Sequence, residues 1–62
     1  MKTFTAQQKL EAVQRELNYR QRVYARRIAE GTMTLKKADY ECDVMRAIAA
    51  DYAKLADKER LL

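Results

Sequence analysis

The chain predicts an all-α fold, an antiparallel two-helix hairpin that dimerises into a four-helix bundle, and three observations predict it. Its 62 residues hold a single glycine, Gly31, and no proline. Apolar residues recur at three- and four-residue intervals on both sides of that glycine, the spacing of a helix buried along one face. The second run carries more apolar surface than one neighbouring helix covers. Residues 1–62 therefore read as one helical-hairpin domain.

Met1 to Phe4 read as a lead-in. Thr5-Ala6-Gln7-Gln8 then has the T-x-x-Q form of a capping box, in which two side chains satisfy two helix-end amides reciprocally. Helix one is expected from about residue 6 to about residue 30. Its stripe is Ala6, Leu10, Val13, Leu17, Tyr24 and Ile28, with Gln21 the one polar member. Gly31 is placed to end it, because glycine enters the left-handed conformation of a helix terminus without a Cβ penalty. Arg26 and Arg27 suit the negative end of the helix dipole just before it.

The turn takes residues 31–34, a join short enough to make the helices antiparallel neighbours. Thr34 caps helix two, and Met33 is placed to pack back on Ala38 as a hydrophobic staple. Helix two is expected from about residue 35 to about residue 58. One of its sides is small: Ala38, Cys42, Ala49, Ala53 and Ala56. The adjacent side is bulky: Val44, Met45, Ile48, Tyr52 and Leu55.

Folding at Gly31 pairs positions whose numbers add to about 66, so Ile28 meets Ala38, Tyr24 meets Cys42, Leu17 meets Ala49, Val13 meets Ala53 and Leu10 meets Ala56. Large faces small in every layer, which lets the side chains interdigitate at native density. The bulky side is left without a partner in this hairpin. Each of those side chains contributes on the order of 1.5–3 kcal/mol when buried, against a typical net stability of about 5–15 kcal/mol. A two-fold dimer closing a four-helix bundle, or a partner protein, is expected to cover them.

Composition narrows the function. A chain this short buries only about 60% of its unfolded surface, and small folds are completed by disulfides, metals or association. With one cysteine and no histidine, association is what remains. The lone thiol fits a reducing, cytoplasmic compartment. No apolar run approaches the ~20 residues of a membrane span, and no signal-peptide pattern is evident, so no membrane partner is expected. The net charge of +4 resides in the first half: residues 1–31 hold seven bases and three acids, whereas residues 32–62 hold six of each. An acidic partner should therefore meet helix one.

Helix one places Arg15, Tyr19, Arg22 and Arg26 on a second face, with Val23 beside them. Guanidinium forks beside an aromatic suit an acidic protein surface, where arginine and tyrosine anchor contacts, or the phosphates and bases of a nucleic acid. A solvated face with local pairs such as Glu11 to Arg15 is the plainer reading. Cys42 reads as a small packing group, since a catalytic thiolate needs an activating base and the chain has no histidine. Asp39, Glu41 and Asp43 near the start of helix two complement the dipole there and lack the glycine-bearing loop of a calcium site. Tyr52 reads as core or as an interface anchor, while Tyr40 points away from both apolar sides. No catalytic residue, metal ligand or cofactor site is expected, and with them no enzyme.

Arg22-Val23-Tyr24, then Gly31-Thr32-Met33-Thr34, Ala38-Asp39, Val44-Met45-Arg46-Ala47-Ile48 and Asp51-Tyr52 resemble a group of small uncharacterised helical-hairpin proteins encoded by bacteriophages and prophages. The resemblance runs from about Leu10 to Leu55. A proline often follows the Val-Tyr pair in that group; here Ala25 stands there, so helix one should run unbroken. The resemblance implies a non-enzymatic phage accessory protein that binds and modulates or inhibits a host protein in the host cytoplasm. The alternative is a nucleic-acid-binding four-helix-bundle dimer that uses the arginine face of helix one.

Overall fold

The computed structural model describes residues 2–61 and contains two helices, α1 (Ala6–Ala29) and α2 (Leu35–Leu61), with no strand among the described residues. Met1, part of the expected lead-in, lies outside the described residues; Lys2 to Phe4 precede α1 without regular structure. The two helices lie side by side as a hairpin of 48 × 21 × 17 Å.

Both helix starts follow from their caps. The Thr5 hydroxyl accepts from the Gln8 amide at 3.1 Å while the Gln8 side chain accepts from the Thr5 amide at 2.9 Å, a complete capping box. The Thr34 hydroxyl accepts from the Lys37 amide at 3.1 Å. Gly31 takes φ +78°. Its amide donates to the Ile28 carbonyl at 3.1 Å and the Thr32 amide donates to the Arg27 carbonyl at 2.9 Å. These are the two bonds of a Schellman motif, so the turn satisfies carbonyls that the end of α1 would otherwise leave open.

α2 differs from expectation at both ends. It continues beyond residue 58 to Leu61, since nothing in Lys58-Glu59-Arg60 breaks a helix. Its first turn contains no acid; it carries Lys36 and Lys37. Asp39, Glu41 and Asp43 thus sit past the reach of the dipole; Asp43 is engaged instead by Arg46 at 2.8 Å and Glu41 by Lys37 at 3.0 Å.

The core is a seam of small groups. Among the described residues Ala6, Ala38, Cys42 and Ala56 are buried, and no large side chain is fully enclosed. Leu10, Val13, Leu17, Tyr24 and Ile28 lean half-buried over them from α1, and Tyr24, Ile28, Ala38 and Cys42 meet around one cleft, as the large-on-small register requires. One position departs from the expected stripe. Gln21 is exposed and Arg20 leans over the seam instead, because a straight helix drifts by ~20° per heptad relative to a strict seven-residue repeat.

Candidate functional site

Two surfaces flank the seam. At ~100° per residue, Arg15, Arg22 and Arg26 fall on the side of α1 opposite the seam. All three are exposed, and among the described residues none makes an ion pair; the expected Glu11 to Arg15 pair is replaced by a contact from Gln7 to Glu11 at 3.4 Å. Tyr19 is 56% exposed at the edge of this row. Arg15, Arg22 and Arg26 are thus exposed and make no ion pair among the described residues, and Tyr19 stands exposed at their edge.

Tyr19 also belongs to the rim of an open cleft lined by Glu16, Val23, Arg27, Met33, Lys37 and Glu41. Across it Arg20 bonds Glu16 at 2.8 Å and approaches Glu41 at 3.9 Å. The hydrogen bond that Arg20 donates to Glu16 holds its guanidinium above its ordinary value, with small further help from the Tyr24, Glu16 and Glu41 charges against a desolvation cost. Glu41, by hydrogen bond and by charge, likewise raises the Lys37 ammonium. These groups stay protonated through the neutral range, so the cluster is a fixed polar bridge between helices.

The bulky side of α2 lies on the same side of the hairpin as this bridge. It is less uncovered than expected. Met45, Ile48 and Tyr52 are half-buried, and the Lys9 ammonium lies 5.7 Å from the Tyr52 ring centre, so long side chains of α1 reach over part of it. Val44 and Leu55 remain exposed, at 39% and 48%. Tyr40 is exposed, with the Lys37 ammonium 6.0 Å from its ring centre. Cys42 is buried and free. No group of three or more His, Cys, Asp or Glu side chains among the described residues is arranged to hold a metal ion. Among the described residues no helix is long and apolar enough to cross a membrane.

One contact was missed by sequence reasoning. The Glu59 carboxylate, near the end of α2, accepts from the Ala6 amide at 3.0 Å, 53 residues away in the chain. The first turn of α1 has no acid of its own, so Glu59 supplies the negative charge that helix start favours. A signal existed: the register sum of 66 puts residue 6 opposite residue 60, next to the only acid in that last turn.

Compared with protein-family models, with curated proteins and with solved structures, the chain matches none of them.

Proposed function

We propose that this chain is a non-enzymatic interaction module, a helical hairpin that forms a homodimer through the apolar side of α2 and binds an acidic surface of another protein through Arg15, Tyr19, Arg22 and Arg26. The phage resemblance makes that other protein a host factor whose activity is modulated or inhibited. The observation that carries the reading is the absence of any fully buried large side chain among the described residues. A hairpin whose described residues enclose only alanines and a cysteine has left most of its hydrophobic stabilisation to be made by association.

The test is the mass and helicity of the protein and of Ile48→Asp. The variant should become monomeric or lose helicity, because a carboxylate forced into an apolar interface without a partner costs several kcal/mol. Unchanged mass and helicity would remove the α2 face from the proposal.

The unpaired arginine row also favours a second reading, nucleic-acid binding by α1. In that case affinity falls with salt at a slope near −0.9 per neutralised phosphate on duplex DNA, and Arg15→Ala with Arg22→Ala flattens it. Binding that ignores both changes excludes this reading.

A further inference from the structure

The dimer in the preceding proposal has a geometry that the positions of charge and apolar side chains on α2 specify; the inference below rests on that reading and gives the partner and its orientation. The total accessible surface is 5187 Å². A compact monomer of 7.3 kDa exposes about 4,200 Å². The excess of roughly 1,000 Å² reflects the elongated 48 × 21 × 17 Å hairpin, which has a single seam and leaves the outer sides of both helices open; a standard-sized interface takes about 800 Å² from each partner.

Where that surface is apolar, it is centred. Val44, Ile48, Tyr52 and Leu55 follow one another at four, four and three residues along the side of α2 about a quarter-turn from the seam. The middle residue of α2, (35 + 61)/2, is Ile48. Beyond the stripe lie opposite charges, Lys37 toward the turn, where it also pairs with Glu41 of its own chain, and Glu59 toward the open end, where it also accepts from its own Ala6 amide, and 37 + 59 equals twice 48. A two-fold axis through Ile48 therefore does three things at once. It sets Ile48 against its own copy, Val44 level with the partner copy's Tyr52, and each Lys37 level with the other copy's Glu59.

We propose that the occupant of the α2 stripe is a second copy of this chain, packed with its α2 antiparallel about Ile48 and its turn at the opposite end. A parallel pairing would stack Lys37 on Lys37, Asp51 on Asp51 and Glu59 on Glu59, and like charges brought level repel. Glu41 and Leu55 also share a level in the antiparallel form; the carboxylate is already held by Lys37 and Arg20. At the two ends of the stripe the levels of Lys37 and Glu59 match in sign, as an isologous interface requires. The arginine row of α1 carries one sign and points away from α2, so it stays outside the dimer.

The unmodified chain provides the test. Within one chain Lys37 and Glu59 are 22 residues apart on a single helix, about 33 Å. A zero-length carbodiimide bridge between them can form only between two chains, so mapping that bridge by mass spectrometry is the expected result. Cysteine pairs in a Cys42→Ala background check the direction. Val44→Cys alone should fail to form a disulfide, its copies being about 12 Å apart along the axis, whereas Val44→Cys mixed with Tyr52→Cys should form one. A two-chain mass with no bridge from Lys37 to Glu59, or with Val44→Cys cross-linking to itself, overturns this arrangement while leaving the dimer. A one-chain mass across the working concentration range overturns both.

Discussion

The two ends of the hairpin are built on different principles. At the turn end everything is local: Gly31 and Thr32 close the carbonyls of Ile28 and Arg27, and Thr34 closes the Lys37 amide three residues on. At the open end the capping box is local too, but the helices are joined there by one long-range bond, Glu59 to Ala6. The chain itself prevents the turn end from separating, so its bonds need only shape it. Nothing covalent holds the open end, and a carboxylate placed on a helix N-terminus does so with charge. Among the described residues, the hydrogen bond that ties one helix to the other thus stands where loop closure gives no help, while the Arg20 to Glu41 ion pair bridges the helices nearer the turn.

The largest expected effect of breaking one end is at the turn. Gly31→Ala meets no steric obstacle, since nothing lies within 4 Å of the added Cβ. The cost comes from the backbone, because φ +78° is left-handed and an L side chain is disfavoured there by roughly 1–2 kcal/mol. Alanine also stiffens the unfolded chain, which returns part of that, so a net loss of about 1 kcal/mol and ~4–8 °C in Tm is expected by thermal denaturation. A melting temperature that stays put would show that the turn is shaped by the helices rather than the reverse.

At the open end Glu59→Ala should cost somewhat less, about 1 kcal/mol or below, since the freed Ala6 amide can recruit water. Its signature is location. Amide exchange should quicken in Ala6 to Leu10 and in Ala56 to Arg60 while the residues around Gly31 keep their protection. Uniform acceleration would mean that the hairpin has no separate open end.

The smallest effect belongs to the Lys37 pair with Glu41 near the turn. Because the folded ammonium is raised above its ordinary value of 10.5, its contribution is fully present below that pH and is lost as pH rises through the folded value. The pair is exposed, so the loss in Tm above pH ~10.5 should be smaller than that of Gly31→Ala and should shrink with added salt. A loss that persists at high salt would place the pair in a more protected setting than the hairpin alone provides.

What the sequence made legible was local or periodic. Thr5 and Gln8, Gly31, and Thr34 each act within a few residues, so residue type and spacing alone identify them. The large-on-small seam was legible because a short turn fixes the register, and the register then dictates every layer. The replacement of Gln21 by Arg20 was not, since it depends on how a straight helix drifts against its neighbour. The covering of Tyr52 by Lys9 was hidden for a related reason: a long flexible side chain reaches a full turn away from its own level, and spacing says nothing of reach. Of the candidate site, the arginine row and the apolar stripe were both visible as helix faces. Their relation in space, one opposite the seam and the other beside it, required the seam to be placed first.

Cys42 is sealed in that seam, in contact with the cleft where Tyr24 and Ile28 cross Ala38. It is the only thiol in the chain. A reagent that alkylates thiols has no other site to attack, and it reaches this one only when the two helices part. The protein thus carries its own gauge of separation: the ratio of its alkylation rate to that of a free thiol gives the fraction of time the hairpin stands open, without any label having been introduced.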